Sequence, residues 1–147
     1  MPDGRCIAYT IDPEGRRIAK SINGKVVESY LWHDFTTLVA VEDNYGNRKE
    51  FAYDDDGDPI AMRFNESMYY FAADQVGTVY IVANTEGNEV KRIIRDSFGN
   101  KIIDTNERMD ISLGFAAGLH DTETGLVHFG FREYDPSIGR FIQPDPL

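Results

Sequence analysis

A four-residue pattern, Asp-x-x-Gly, begins at Asp12, Asp43, Asp54, Asp74 and Asp96. Asn84 opens a variant with Asn in place of Asp, Asn23-Gly24 is a shorter turn signal, and Asp121 and Asp135 open longer versions that end at Gly125 and Gly139. An aspartate side chain accepts hydrogen bonds from backbone N–H groups two residues on, and glycine takes positive φ without a Cβ clash. A tight hairpin needs both. The glycines recur about every 10 to 12 residues, or about twice that, so each period holds one strand and one turn.

Between the turns the side chains alternate. Ile60, Met62 and Phe64 fall on one side of an extended segment, with Ala61, Arg63 and Asn65 on the other. Residues 68–72 and 78–83 are rich in β-branched and aromatic types, and Val90, Arg92 and Ile94 alternate with Lys91, Ile93 and Arg95. Segments 25–32 and 37–41 read the same way. A period of two with such filling predicts half-buried strands. Only 106–117 offers weak helical spacing, and that segment reads equally as irregular. The class is therefore all-β, a series of consecutive hairpins with antiparallel neighbours, because the connections are short.

Composition excludes several functions. The 147 residues carry 25 acidic against 15 basic side chains, a net charge of -10, which repels a phosphate backbone and argues against general nucleic-acid or anionic-membrane binding. Hydrophobic residues at 41% and aromatics at 12% are too many for a disordered acidic tail. No apolar run approaches the roughly 20 residues of a membrane helix, and the opening Met-Pro-Asp-Gly-Arg lacks the pattern of a signal peptide. Cys6 is the single cysteine, so an internal disulfide and a cysteine-rich zinc site are ruled out.

Ordered chemistry is equally sparse. His120, Asp121 and His128 do not have the spacing of a metal set, and the acidic run 54–58 fails the EF-hand loop because its glycine comes too early and no closing Glu follows. No nucleophile elbow and no phosphate loop is present. We therefore expect no cofactor and no metal. Asn65-Glu66-Ser67 matches a glycosylation sequon by chance composition of a turn.

After Asp110 the texture changes. The chain reads Gly114-Phe115-Ala116-Ala117-Gly118-Leu119-His120-Asp121, then runs from Gly125-Leu126 through Phe129-Gly130-Phe131-Arg132-Glu133-Tyr134-Asp135-Pro136 to Gly139-Arg140-Phe141 and Asp145-Pro146. This closing block resembles the core-associated segment of RHS proteins, and Tyr53-Asp54-Asp55-Asp56-Gly57 and its relatives resemble YD repeats. The resemblance is strongest from about Tyr69 to Pro146. It implies a division into YD-type hairpin repeats, 1–104, and a core-associated segment, 105–147. It also implies that the hairpins form a curved, wound sheet, one segment of a hollow RHS shell of the kind shared by bacterial polymorphic toxins, toxin-complex C components and teneurins.

In that family the repeats are scaffold, and the toxic activity belongs to a variable domain beyond the core. The expected role is therefore structural: a shell segment that encloses or presents a C-terminal effector. The expected partners are other shell chains or segments joined by strand pairing, an effector cargo, and an oligomeric state completed by them. The expected location is a bacterial cytoplasm before export, then a secreted or cell-surface assembly. Many such cores also cut their own chain by an aspartyl-protease-like mechanism, which needs two carboxyl groups close enough to share a proton. Matched motif to motif, the candidate catalytic residues are Arg132, Glu133 and Asp145. Glu133 stands where the family has Asp, and its longer arm moves the carboxylate by about one C–C bond. The scissile bond would lie past Leu147, so enzymatic activity is expected only with a further downstream segment. A plainer reading gives Arg132 an acidic neighbour and makes Asp145 a turn residue. A surface adhesion or carbohydrate-binding module, using Trp32, Tyr69 and Tyr70 as stacking platforms, is the remaining alternative.

A strip of about ten strands leaves two edges and one apolar face uncovered. It must either curl around a core of its own or dock onto other chains, and docking is the expectation from the sequence.

Overall fold

The computed structural model describes residues 6–14, 16–33, 37–121, 124–129 and 132–142. Within them the Asp-x-x-Gly turns share one construction. At Asp12, Asp43, Asp54, Asp74, Asn84 and Asp96, the side-chain Oδ1 accepts the backbone N–H groups two and four residues on, at 2.8–3.0 Å. The backbone N–H of each of these residues donates to the carbonyl four residues on. The glycine that follows takes φ between +85° and +97° at Gly46, Gly57, Gly77, Gly87 and Gly99. The positive φ reverses the chain, and the Asx bonds satisfy N–H groups that the turn would otherwise leave bare.

These turns make six of the nine connections that join ten strands into one antiparallel meander. They are β1 (Ile7–Ile11), β2 (Arg17–Ile22), β3 (Lys25–Trp32), β4 (Leu38–Asp43), β5 (Arg48–Tyr53), β6 (Pro59–Phe64), β7 (Ser67–Ala73), β8 (Val79–Asn84), β9 (Glu89–Arg95) and β10 (Lys101–Asp104), paired in sequence order. A second sheet of four short strands follows: β11 (Leu119–His120), β12 (Val127–Phe129), β13 (Arg132–Asp135) and β14 (Arg140–Ile142). The all-β antiparallel class expected from alternation is what the chain forms. Segment 106–117 is irregular and ends in a single 3₁₀ turn, Phe115–Ala117, in which Ala116 and Ala117 have positive φ.

Alternation misplaces Ile60. Ala52 pairs with Ala61 and Tyr53 with Pro59, so the register skips Ile60. Met62 is buried while Ile60 is 44% exposed. A β-bulge, with two residues opposite one, takes Ile60 out of the shared face that a strict period of two assigns it.

The inner face of the ten-stranded sheet carries Tyr30, Trp32, Leu38, Val41, Phe51, Met62, Val79, Val82 and Ile93 in one buried cluster. Ile111, Leu113 and Leu119, from the segment after β10, complete that cluster. The chain's own C-terminal segment thus covers the apolar face. Lys91, 1% exposed, holds the crossing loop: its Nζ donates to Asp104 Oδ2 and the Asn106 carbonyl at 2.9 Å each, and to the carbonyl of Met109. At the far end the β13–β14 turn docks on the β9–β10 turn. Tyr134 Oη donates to the Phe98 carbonyl and Asn100 Nδ2 to the Pro136 carbonyl, both at 2.6 Å.

Candidate functional site

The second anchor of the C-terminal segment lies at β2 and is built from charges. Arg17 and Lys20 are three residues apart, a spacing that puts two side chains on opposite faces of a regular strand. Ile11 pairs with Arg17 and Thr10 with Ala19, so Ile18 is skipped, and Arg17 and Lys20 both come opposite residues of one β1 face, Ile11 and Tyr9. The bulge therefore turns both cations inward. The Arg17 guanidinium also stacks 3.7 Å from the centroid of the Tyr9 ring.

Their partners arrive from more than 100 residues away. Arg17 Nη1 lies 3.1 Å from Asp121 Oδ2, Arg17 Nη2 lies 2.9 Å from Glu133 Oε1, and Lys20 Nζ lies 3.0 Å from Asp121 Oδ1. Tyr9 Oη donates to Asp121 Oδ2 as well. The side chains of Arg17 and Lys20 are 5% exposed and that of Asp121 is 1% exposed, while Glu133 is 32% exposed, so the two cations and Asp121 meet inside the protein and Glu133 completes the charge balance at its margin. Asp121 is aimed by a local turn in which Gly125 N–H donates to its carbonyl at 2.7 Å.

His128, on β12, closes the cluster. Its Nε2 accepts the Arg17 backbone N–H at 3.3 Å, which leaves the proton of a neutral ring on Nδ1, 3.6 Å from Glu133 Oε1. Trp32 Nε1 donates to the Arg17 carbonyl at 2.6 Å and packs edge-on to the His128 ring. The facing His128 ring, together with Arg17, holds the Glu133 carboxyl below its usual range, against the opposing effect of burial. Burial, followed by the bond to Asp121, pushes the Tyr9 phenol up.

This arrangement favours the charged form of the Glu133 carboxyl. An acid–base pair of the aspartyl-protease kind needs one proton shared between two carboxyl groups. Here the Arg17 guanidinium bridges Asp121 and Glu133, and Lys20 supplies the second positive charge. The chemistry on view is an ion-pair clamp between the repeat ribbon and the C-terminal segment.

Of the three catalytic candidates, Glu133 enters this cluster. Arg132 begins β13, with its Cα opposite Phe129. Asp145 lies outside the described residues. His120 pairs across β11 and β12 with Val127, and its ring, buried with Nδ1 lacking a hydrogen-bond partner, is pushed down from its ordinary value, by burial first and then by Lys101. Among the described residues no group of three or more His, Cys, Asp or Glu side chains is placed to hold a metal ion. Tyr9, Arg17 and Lys20 carry no motif, and Asp121 stands in the sequence as a turn residue. A lysine and an arginine on a strand that otherwise reads as half-apolar were the only signal available.

A hairpin ribbon folded over a covering core segment, and clamped to it by buried ion pairs at one end, defines a segment of a wound β-hairpin shell. The chain belongs to the Teneurin YD-shell family, whose profile matches residues 1–147. Teneurin-1 of Gallus gallus is 33% identical over 148 residues, which cover 97% of this chain and 5% of that protein. Teneurin-4 of Mus musculus is 31% identical with the same coverage. The tRNA3(Ser)-specific nuclease WapA of Bacillus spizizenii is 29% identical over 142 residues, 94% of this chain and 6% of that protein. The crystal structure of TcdB2-TccC3 superposes with a TM-score of 0.68 at 15% identity, over 95% of this chain and 8% of that one. At that identity the likeness is one of fold. The chain spans about one twentieth of the length of the teneurins it matches. Among the described residues no helix is long and apolar enough to cross a membrane.

Proposed function

We propose that this chain works as a structural segment of a toxin-type shell, helping to enclose or present a C-terminal effector and completed by further hairpin ribbon. The observation that carries this reading is the clamp. The repeat ribbon contributes Arg17 and Lys20, the core segment contributes Asp121 and Glu133, and the result holds the core segment against the inner face. Similarity to WapA on one side and to teneurins on the other supports a scaffold common to proteins with different terminal activities. The partners would be neighbouring shell segments and the cargo domain, within an assembly that functions outside the cell.

A chimera tests this. Deleting the matched stretch from WapA should expose its nuclease portion to protease, and inserting these 147 residues in its place should restore resistance. Unchanged resistance in the deletion would overturn the proposal. Self-cleavage through Arg132, Glu133 and Asp145 is the competing reading. It predicts a cut when the chain is extended by a downstream core segment, lost on Asp145→Asn. The adhesion reading loses Trp32, which is 8% exposed and bonded within the core.

A further inference from the structure

Where residues 106–110 pass over the inner face of the large sheet, they leave a cavity of about 390 Å³ against β5, β6 and β7. Strand register sets its floor. Lys49 pairs with Phe64 and Met62 with Tyr69, and Met62 and Phe64 are alternate residues of β6, so all four side chains share one face. Met62 is buried, and Phe64 and Tyr69 are half-buried. The covering segment adds Met109, also half-buried, and Arg108. The result is a bed of two rings and two thioethers with two cations beside it. Its volume is that of a small-molecule site, ~300–1,000 Å³.

The charges around the cavity are not equally free. Formally the two cations face two carboxylates, Asp43 and Asp110. Asp43, which lies in the field of Lys49, is committed to its own turn: Oδ1 accepts the Tyr45 and Asn47 backbone N–H groups and Oδ2 accepts Asn47 Nδ2, all at 2.9 Å. Asp110 Oδ1 accepts the Ser112 N–H at 2.8 Å. The cations keep donors unused. Lys49 Nζ donates to Ser112 Oγ at 2.7 Å, and Arg108 has no hydrogen-bond or ion-pair partner among the described residues. Unused donors therefore outnumber unused acceptors here, although the whole chain carries a charge of -10. A carboxylate matches the guanidinium fork and the ammonium together. Behind it, the two rings and the two polarizable sulfurs favour an aromatic body over a saturated chain.

We propose that this cavity binds a small arylalkyl carboxylate, with the carboxylate held between Lys49 and Arg108 and the ring laid on Met62, Phe64, Tyr69 and Met109. One wall is ribbon and the other is covering segment, so a bound molecule joins the two and stabilises the folded chain by mass action. The site shares no residue with the Arg17–Asp121 clamp and does not rest on the shell reading.

An NMR titration of the 147-residue chain with hydrocinnamate tests the proposal. Saturable shifts should centre on the Met62 and Met109 methyl groups and the Tyr69 ring, with a Kd of about 1 mM or tighter. Two analogues separate the parts of the probe. Hydrocinnamyl alcohol keeps the ring without the charge and should bind about tenfold more weakly, and acetate, which has the charge without the ring, should leave those signals in place. Arg108→Gln, at an exposed side chain, should weaken hydrocinnamate binding about tenfold while leaving the affinity for the alcohol and the ligand-free urea midpoint close to the parent. Saturating hydrocinnamate should raise the urea midpoint of the parent. No saturable shift below about 20 mM, equal binding of the alcohol, or unchanged hydrocinnamate affinity in Arg108→Gln would overturn the proposal. None of these outcomes alters the protease resistance read in the chimera.

Discussion

Asp121 accepts from two cations and a phenol at 1% side-chain exposure. Asp121→Ala leaves Arg17 and Lys20 with too little counter-charge inside the protein. It should cost about 3–5 kcal/mol in urea unfolding. Arg48→Ala, which breaks an exposed pair with Glu42 at 3.1 Å, should cost under about 1 kcal/mol in the same assay. Acid should weaken the fold in two stages. The His120 value is lowered in the fold, so the unfolded chain takes up that proton first and stability declines as pH falls below 6.5. The Glu133 value is also lowered. Its contribution is complete above the ordinary value of 4.5 and is lost as pH falls through the folded value. A pH series of urea midpoints should show both steps, and Glu133→Gln should shrink only the second, the rest of which comes from Asp43, Asp96 and Asp104, whose values are also lowered. Motif matching reached Glu133 but not Arg17, because an ion-pair partner 116 residues away leaves no local pattern.

At the scale of single elements, turn chemistry carried most of the information. Asp supplies the Asx bonds and Gly the positive φ, both short-range effects, so the positions of turns and strands could be read directly. Gly57 has φ +86° and open space around the site of a Cβ. Gly57→Ala should therefore cost only the left-handed backbone penalty, about 1–2 kcal/mol in thermal or urea unfolding. Gly118 differs in kind. A Cβ there would meet Val127 Cγ1 at 2.5 Å and Phe129 Cζ at 2.7 Å. Gly118→Ala should cost about 1–3 kcal/mol through overpacking, and should shift the Val127 and Phe129 side-chain signals in an NMR spectrum where Gly57→Ala does not. Bulges were the part of the elements that alternation missed. One inserted residue reverses every face assignment beyond it, and a period of two contains no marker for the insertion.

For the molecule as a whole, the decisive event is the return of the C-terminal segment over the ribbon. Ile111, Leu113 and Leu119 join the core cluster, each worth about 1.5–3 kcal/mol when buried, and Asp121 and Glu133 clamp the segment at β2. A chain ending at Asp104 should lose both contributions. We expect it to bind the dye ANS and to show no cooperative urea transition, whereas a sharp transition with the parent midpoint would mean the ribbon stands without its cover. The docking expected from sequence presumed an uncovered inner face. The structure covers that face internally and leaves the rims and sheet edges as the surfaces available to further ribbon.

Repeated turn signals and alternating side chains determined, without any tertiary information, that this protein is an antiparallel hairpin ribbon, because each depends on residues within a few positions of one another. Which side chains face inward past each bulge, and which charges meet at Arg17, were decided only when the ribbon curved and brought its first strands against its last. Burial then set the worth of those charges, since a carboxylate and a guanidinium out of reach of water must find each other, and sequence distance does not enter that requirement.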